Sequence, residues 1–158
     1  MITCYFENKN RAELRHTVVD ALVISRGKLL LVKRSKNSIS NPNKYALPGG
    51  FLDRDENTTE AVLREVWEET GYKGKIVSLF EVIDRPERKE DRQNVGFVYL
   101  VKVDEKSGKE DLEEISDVLW FDLNKLPKES EMGFDHLEII ELYKKHLKKP
   151  QQLPIIIS

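Results

Sequence analysis

The sequence predicts an α/β fold in which one mixed β-sheet is covered by helices. Three observations carry this. Two alternating β-branched runs come early, a capped amphipathic helix follows them, and three more strand-like runs lead to a late helix. The early runs, 17–25 and 28–33, flank Arg26-Gly27, a tight-turn pair, and predict a hairpin. Segment 35–44, SKNSISNPNK, is a polar loop marked by Asn41-Pro42. A short strand at 45–47 leads into Pro48-Gly49-Gly50. Asn57 or Thr58 caps the next helix, with Glu60 at capping-box spacing from Asn57 and Gly71 as its stop. Further strands are expected at 75–83, 95–103 and 117–123, the first two separated by the charged loop DRPERKEDRQ.

A second helix is expected over about 134–147, where Leu137, Ile140, Tyr143 and Leu147 form an apolar stripe. Lys144, Lys145, Lys148 and Lys149 suit the dipole at its C-terminal end. The tail QQLPIIIS is apolar and short, able to pack on the domain or to meet a partner chain. No repeat, low-complexity tract or linker interrupts the chain, so one domain is expected across 1–158. Lys and Arg number 26 against 28 Asp and Glu, a net charge of −2, which gives no general push toward nucleic acid or acidic membranes. Cys4 is the single cysteine, so neither an intramolecular disulfide nor a cysteine zinc site is available. No apolar run approaches the ~20 residues of a membrane span, and the first sixteen residues lack an apolar core of signal-peptide length. A cytoplasmic setting is the expectation.

The first helix poses the chemical question. Stepping about 100° per residue places Thr59, Leu63, Val66, Trp67 and Thr70 on one side. Glu65, Glu68, Glu69 and Ala61 fall on the other. Residues three and four apart stand about 5–6 Å apart at Cβ, so the three carboxylates are neighbours. An acidic solvated face is the plain reading of such a trio. A hard divalent cation, which takes oxygen ligands and retains water and substrate phosphates, is the functional one. Pro48-Gly49-Gly50 lets backbone approach closely and offers a carbonyl to complete the coordination.

The register then becomes specific. The segment resembles the Nudix box, G-x5-E-x7-R-E-U-x-E-E-x-G-U with U bulky and apolar. Gly50, Glu56, Arg64, Glu65, Val66, Glu68, Glu69 and Gly71 match in place, and Tyr72 substitutes a ring at the last position. A chance match is on the order of 10⁻⁸ per starting position. YALPGGF, the hairpin, Trp120-Phe121 and the final helix are similar to that family's order of elements. The resemblance implies a Nudix-type α/β/α sandwich with a mixed sheet, and metal-dependent cleavage of a diphosphate linked to a further group. It implies that Glu65, Glu68 and Glu69, with the Gly50 carbonyl, hold one to three Mg²⁺ or Mn²⁺. Arg64 is then an orienting partner for Glu56 or a box carboxylate, or else a plain surface ion pair. Glu56 either supports that arrangement or serves as a helix N-terminal charge.

The general base does not transfer by position. Glu87, Glu90, Asp91, Glu113 and Glu114 are candidates, and Glu90 is the choice among them. Arg34, Arg85, Arg88 and Arg92 are candidate substrate contacts, because guanidinium matches phosphate and stacks on rings. Pro86, fifteen residues past Gly71, and GFDHLEII resemble features of ADP-ribose pyrophosphatases, which release AMP and ribose 5-phosphate. The alternatives are a nucleoside triphosphate pyrophosphohydrolase and a non-catalytic ADP-ribose sensor. The family resemblance and the Ile155-Ile156-Ile157 tail also raise a homodimer.

Overall fold

The computed structural model describes residues 2–87, 93–109 and 113–158. An N-terminal hairpin not anticipated from the sequence, β1 (Ile2–Tyr5) and β2 (Arg11–Leu14), forms its own two-stranded sheet. The main sheet begins with β3 (Thr17–Ser25) and β4 (Lys28–Arg34). Arg26 and Gly27 between them both have positive φ, 50° and 73°, the conformation of a tight two-residue hairpin turn. The predicted hairpin is present, but it pairs only at its tip, Ile24 with Leu29 and Ser25 with Lys28. Beyond the tip the strands part. β3 takes β8 (Val95–Lys106) in parallel on one side and β6 (Gly49–Phe51) on the other. β4 takes β9 (Ile115–Asp122) and β5 (Tyr45–Ala46). Gly49 and Gly50 therefore enter the sheet as part of β6.

β7 (Tyr72–Ile83) starts directly after the helix stop and pairs antiparallel with β8. The tail packs on its own domain: β10 (Ile155–Ile157) adds a parallel edge strand to β7. Main-sheet pairing is thus mixed, as expected. Helices α1 (Thr58–Thr70) and α2 (His136–Lys148) cover opposite faces. Val19, Ala21 and Val23 of β3 pack with Ala61, Val62 and Val66 of α1. Leu22, between them in sequence, packs with Ile139, Ile140 and Tyr143 of α2, as the two-residue period of a strand requires. No helix among the described residues is long and apolar enough to cross a membrane.

The capping box is complete. Asn57 is the cap; its side chain accepts from the Thr59 and Glu60 backbone N–H groups, and Glu60 accepts from the Asn57 N–H. Gly71 ends the helix at φ 69° in the left-handed region. The rotation of α1 differs from the wheel. Its buried residues are Ala61, Val62, Val66, Glu69 and Thr70, whereas Trp67 is 37% exposed. Two local contacts account for this. Thr58 Oγ1 lies 2.7 Å from Tyr99 Oη, fastening the first turn so that Ala61 is enclosed. Trp67 lies across Gly108, where an added Cβ would stand 2.5 Å from the indole, instead of entering the sheet core.

Candidate active site

The three box carboxylates are graded in exposure. Glu68 is 51% exposed and Glu65 12% at the side chain, while Glu69 is 3% exposed as a residue. Glu69 accepts from the Gly49 N–H at 3.0 Å, and that contact draws a charged residue into the core side of α1. Burial pushes its carboxyl well above the usual 4.5, with repulsion from Glu65 adding to the effect. Burial also raises Glu65, opposed by the adjacent Arg64 guanidinium.

Arg64 ties the site together. Nε and Nη2 hold the two oxygens of Glu56 at 3.0 and 2.7 Å, a fork-on-carboxylate pair. Nη1 donates to Glu65 at 2.9 Å and Glu68 at 3.0 Å, and Nη2 also donates to the Phe51 carbonyl at 3.1 Å. The hydrogen bond from Arg64 holds Glu56 below the usual carboxylate value, and the same contact raises Arg64 itself.

Among the described residues no three His, Cys, Asp or Glu side chains form a ready metal cage. The reason is visible: Glu68 is turned to Arg64 and Glu69 to Gly49. The donor set nonetheless suits a hard divalent cation. Its ligands are oxygens, two of its carboxylates are held in a setting that disfavours ionisation, and a cation there would relieve both burial and mutual repulsion. Backbone access is equally specific. A Cβ on Gly50 would stand 2.4 Å from Glu65 Oε1, whereas one on Gly49 would stand 2.2 Å from the Val19 carbonyl oxygen. Gly50→Ala is therefore expected to displace a side chain and reduce activity with little change in Tm. Gly49→Ala meets backbone and is expected to cost about 1–3 kcal/mol. Thermal melts beside initial rates separate the two.

A pH prediction follows from the carboxylates. A carboxyl raised by folding favours the folded state at low pH, and that contribution is lost as pH rises through the folded value. The metal-free protein should therefore lose stability as pH rises above about 4.5 through Glu69 and Glu65. Glu69→Gln should flatten this slope, and Mg²⁺ should raise Tm more at pH 7 than at pH 5. Melts with and without the ion measure both; an unchanged slope in the variant counts against the assignment.

A cavity of about 620 Å³ opens beside these residues and is lined by Gly50, Arg64 and Glu65. Arg34 lines it as well, with its guanidinium 5.4 Å from the centre of the Phe134 ring and Nε donating to the Ser40 carbonyl. Arg85 does not line it; its guanidinium pairs with Glu138 of α2 at 2.8 Å. Glu90, Asp91, Arg88 and Arg92 lie outside the described residues. Of the other base candidates, Glu113 and Glu114 line the cavity and Glu87 does not. Glu114 acts electrostatically on both Glu65 and Glu69, and its carbonyl accepts from the Ser35 N–H at 2.8 Å. Asp20 and His136 also line the cavity. Neither was singled out from the sequence, although a charged residue inside the apolar run VVDALV was a signal available there.

A glycine strand, a carboxylate helix and an arginine that braces it thus stand together at the edge of a cavity in a two-faced α/β sheet. Such a donor set suits the cleavage of a phosphoanhydride, whose charge a bound cation would offset. Residues 14–143 match the family model described as NUDIX domain, and the chain belongs to that family. It is 37% identical over 128 residues to an ADP-ribose pyrophosphatase of Methanocaldococcus jannaschii, covering 79% of this chain and 70% of that protein. It is 36% identical over 77 residues to human diphosphoinositol polyphosphate phosphohydrolase 3-beta, covering 49% of this chain and 43% of that one. A solved UDP-X diphosphatase superposes with a TM-score of 0.72 at 25% identity, covering 96% of this chain and 71% of that one.

Proposed function

We propose that this protein hydrolyses the diphosphate linkage of ADP-ribose, giving AMP and ribose 5-phosphate, with Mg²⁺ or Mn²⁺ bound. The observation that carries the reaction class is the Glu65–Arg64–Glu56 cluster set against Gly50 at the cavity edge. The substrate rests on the archaeal relative, which matches over most of both chains. Glu65, Glu68, Glu69 and the Gly50 carbonyl would hold the cation. Such an ion neutralises phosphate charge and lowers the pKa of bound water. Arg64 keeps Glu65 aimed, and Glu56 keeps Arg64 aimed. Glu114 is our candidate to accept the proton of the attacking water, since it shares the cavity with the box. Arg34, beside Phe134, offers a planar cation to a phosphate or a base.

The cavity argues against a polyphosphorylated inositol. Among the described residues Asp20, Asp53, Glu65, Glu113 and Glu114 line it, against Arg34 and Arg64, a balance that disfavours a dense polyanion. The test is incubation with Mg²⁺ and a panel of ADP-ribose, other nucleoside diphosphate sugars, dinucleoside polyphosphates, nucleoside triphosphates and a diphosphoinositol polyphosphate, with products identified. AMP from ADP-ribose as the preferred reaction is expected. Inorganic pyrophosphate from triphosphates as the main product overturns the substrate, and no turnover of any member overturns the enzyme.

A further inference from the structure

The cavity contains a polar pair that hydrolysis as described does not use. Asp20 lies mid-strand on β3, directly opposite Gly49 of β6. His136, the first residue of α2, accepts at Nδ1 from the Leu47 N–H at 2.8 Å. An accepting Nδ1 puts the ring proton on Nε2, which stands 3.2 Å from Asp20 Oδ1. One carboxylate oxygen is thereby satisfied. The other, Oδ2, is buried without a hydrogen-bond partner among the described residues, on a side chain only 8% exposed. Leaving a buried acceptor unmet is costly, so such groups call for an explanation. Pairing with His136 explains Oδ1 and leaves Oδ2 over.

The geometry points to Asp20 as a specificity residue whose Oδ2 accepts from a hydroxyl of the sugar joined directly to the diphosphate, with His136 holding the carboxylate in place. This rests on the reading above, in which the diphosphate lies at the Gly50–Glu65 end. A carboxylate oxygen accepts only, so it takes a neutral O–H or N–H and repels phosphate. Paired strands run about 4.8 Å apart and Gly50 is one residue, about 3.8 Å, beyond Gly49. The Asp20 and Gly50 backbones are therefore about 6 Å apart. Although Asp20 is turned to α2 and Glu65 belongs to α1, both line the same cavity, which puts Asp20 about one ring's reach from the diphosphate. A sugar on the diphosphate presents its hydroxyls at that range, whereas a nucleobase lies a whole sugar further away. In a complex lacking that hydroxyl, Oδ2 has no partner among the described residues, and sites built to bond a hydroxyl discriminate strongly against its absence.

The experiment compares three substrates: ADP-ribose, its 2′,3′-dideoxyadenosine counterpart, and a counterpart whose terminal ribose is replaced by a tetrahydrofuran ring without hydroxyls. With the unaltered protein, kcat/KM is expected to fall by about 100-fold or more on one of the two analogues, which identifies the sugar concerned. Asp20→Ala should lose a comparable factor on ADP-ribose and on the insensitive analogue, yet change little on the sensitive one. An Asp20 that merely supports the fold would lower all three alike, and that pattern overturns the inference. If Asp20→Ala does not fold, the unaltered protein still decides. Equal turnover of all three substrates refutes the role of Asp20 and leaves the hydrolysis standing. No turnover of any of them removes both.

Discussion

Glu65→Gln is expected to lower kcat/KM for ADP-ribose by more than about 100-fold while the protein stays folded. Residues that merely orient a metal ligand typically carry 10–100-fold in affinity or activity, and Glu65 is placed to be a ligand itself. It is nearly enclosed, faces Gly50 and accepts from Arg64. Glutamine keeps the shape and one acceptor oxygen but removes the charge that a cation would meet. Because burial already disfavours that charge, the metal-free variant should melt no lower than the parent at neutral pH. Glu68→Gln, at the exposed end of the trio, should leave metal-free stability unchanged and still lose most metal-dependent activity. Steady-state rates and Mg²⁺ titration calorimetry on both variants check this. A Glu65→Gln protein with parental activity and Mg²⁺ affinity would sink the ligand assignment.

Arg64→Ala should damage stability and activity together. Its guanidinium holds Glu56, Glu65, Glu68 and the Phe51 carbonyl at once, and hydrogen bonds to charged groups carry about 1.5–3 kcal/mol each. A Tm loss corresponding to about 2–3 kcal/mol is expected, discounted from the sum of those contacts because the side chain is part-exposed. The loss has a sign in pH. Glu56 is held below its usual 4.5 by Arg64, so its contribution is present above that value and disappears as pH falls through the lowered one. Parent and variant should therefore differ more at pH 7 than at pH 3. Activity should fall about 10–100-fold through misplacement of Glu65. Arg64→Lys keeps one charge but cannot fork onto Glu56, so it should recover part of the stability and little of the rate. Equal melts for Arg64→Ala and the parent across that pH range would contradict this account.

The elements read most accurately from the sequence are those set by local chemistry. The Arg26-Gly27 turn, the Asn57 cap with Glu60 and the Gly71 stop each depend on a few adjacent residues, and each stands where expected. Strand and helix limits drifted by a few residues, since pairing partners extend β7 and β8 beyond their apolar runs. The rotation of α1 departs from the helical wheel because Trp67 ranks as a core residue by polarity, whereas only a distant contact, Gly108, sets where it lies. The graded exposure of the carboxylates was hidden for a similar reason: Glu69 is drawn inward by a backbone N–H twenty residues earlier. Asp20 and His136 are 116 residues apart and meet only through the crossing of β3 under α2. No spacing rule in one sequence joins them. The tail was indeterminate because three isoleucines form a strand only where an open edge receives them, here that of β7.

The parting of β3 from β4 has a consequence for how this protein can change. The hairpin is closed at its tip and open at the far end, like a hinge with two leaves. One leaf, β3 with β6 and β8, bears the glycines and meets the carboxylate helix. The other, β4 with β5 and β9, bears Arg34 and the loops that wall the cavity. Segment 35–44 can therefore be lengthened, shortened or exchanged with a relative's while the reacting end stays fixed. The surroundings of Arg34 can thus drift on their own evolutionary clock, whereas Asp20 on β3 and Glu114 before β9 tie each leaf to both substrate choice and cleavage.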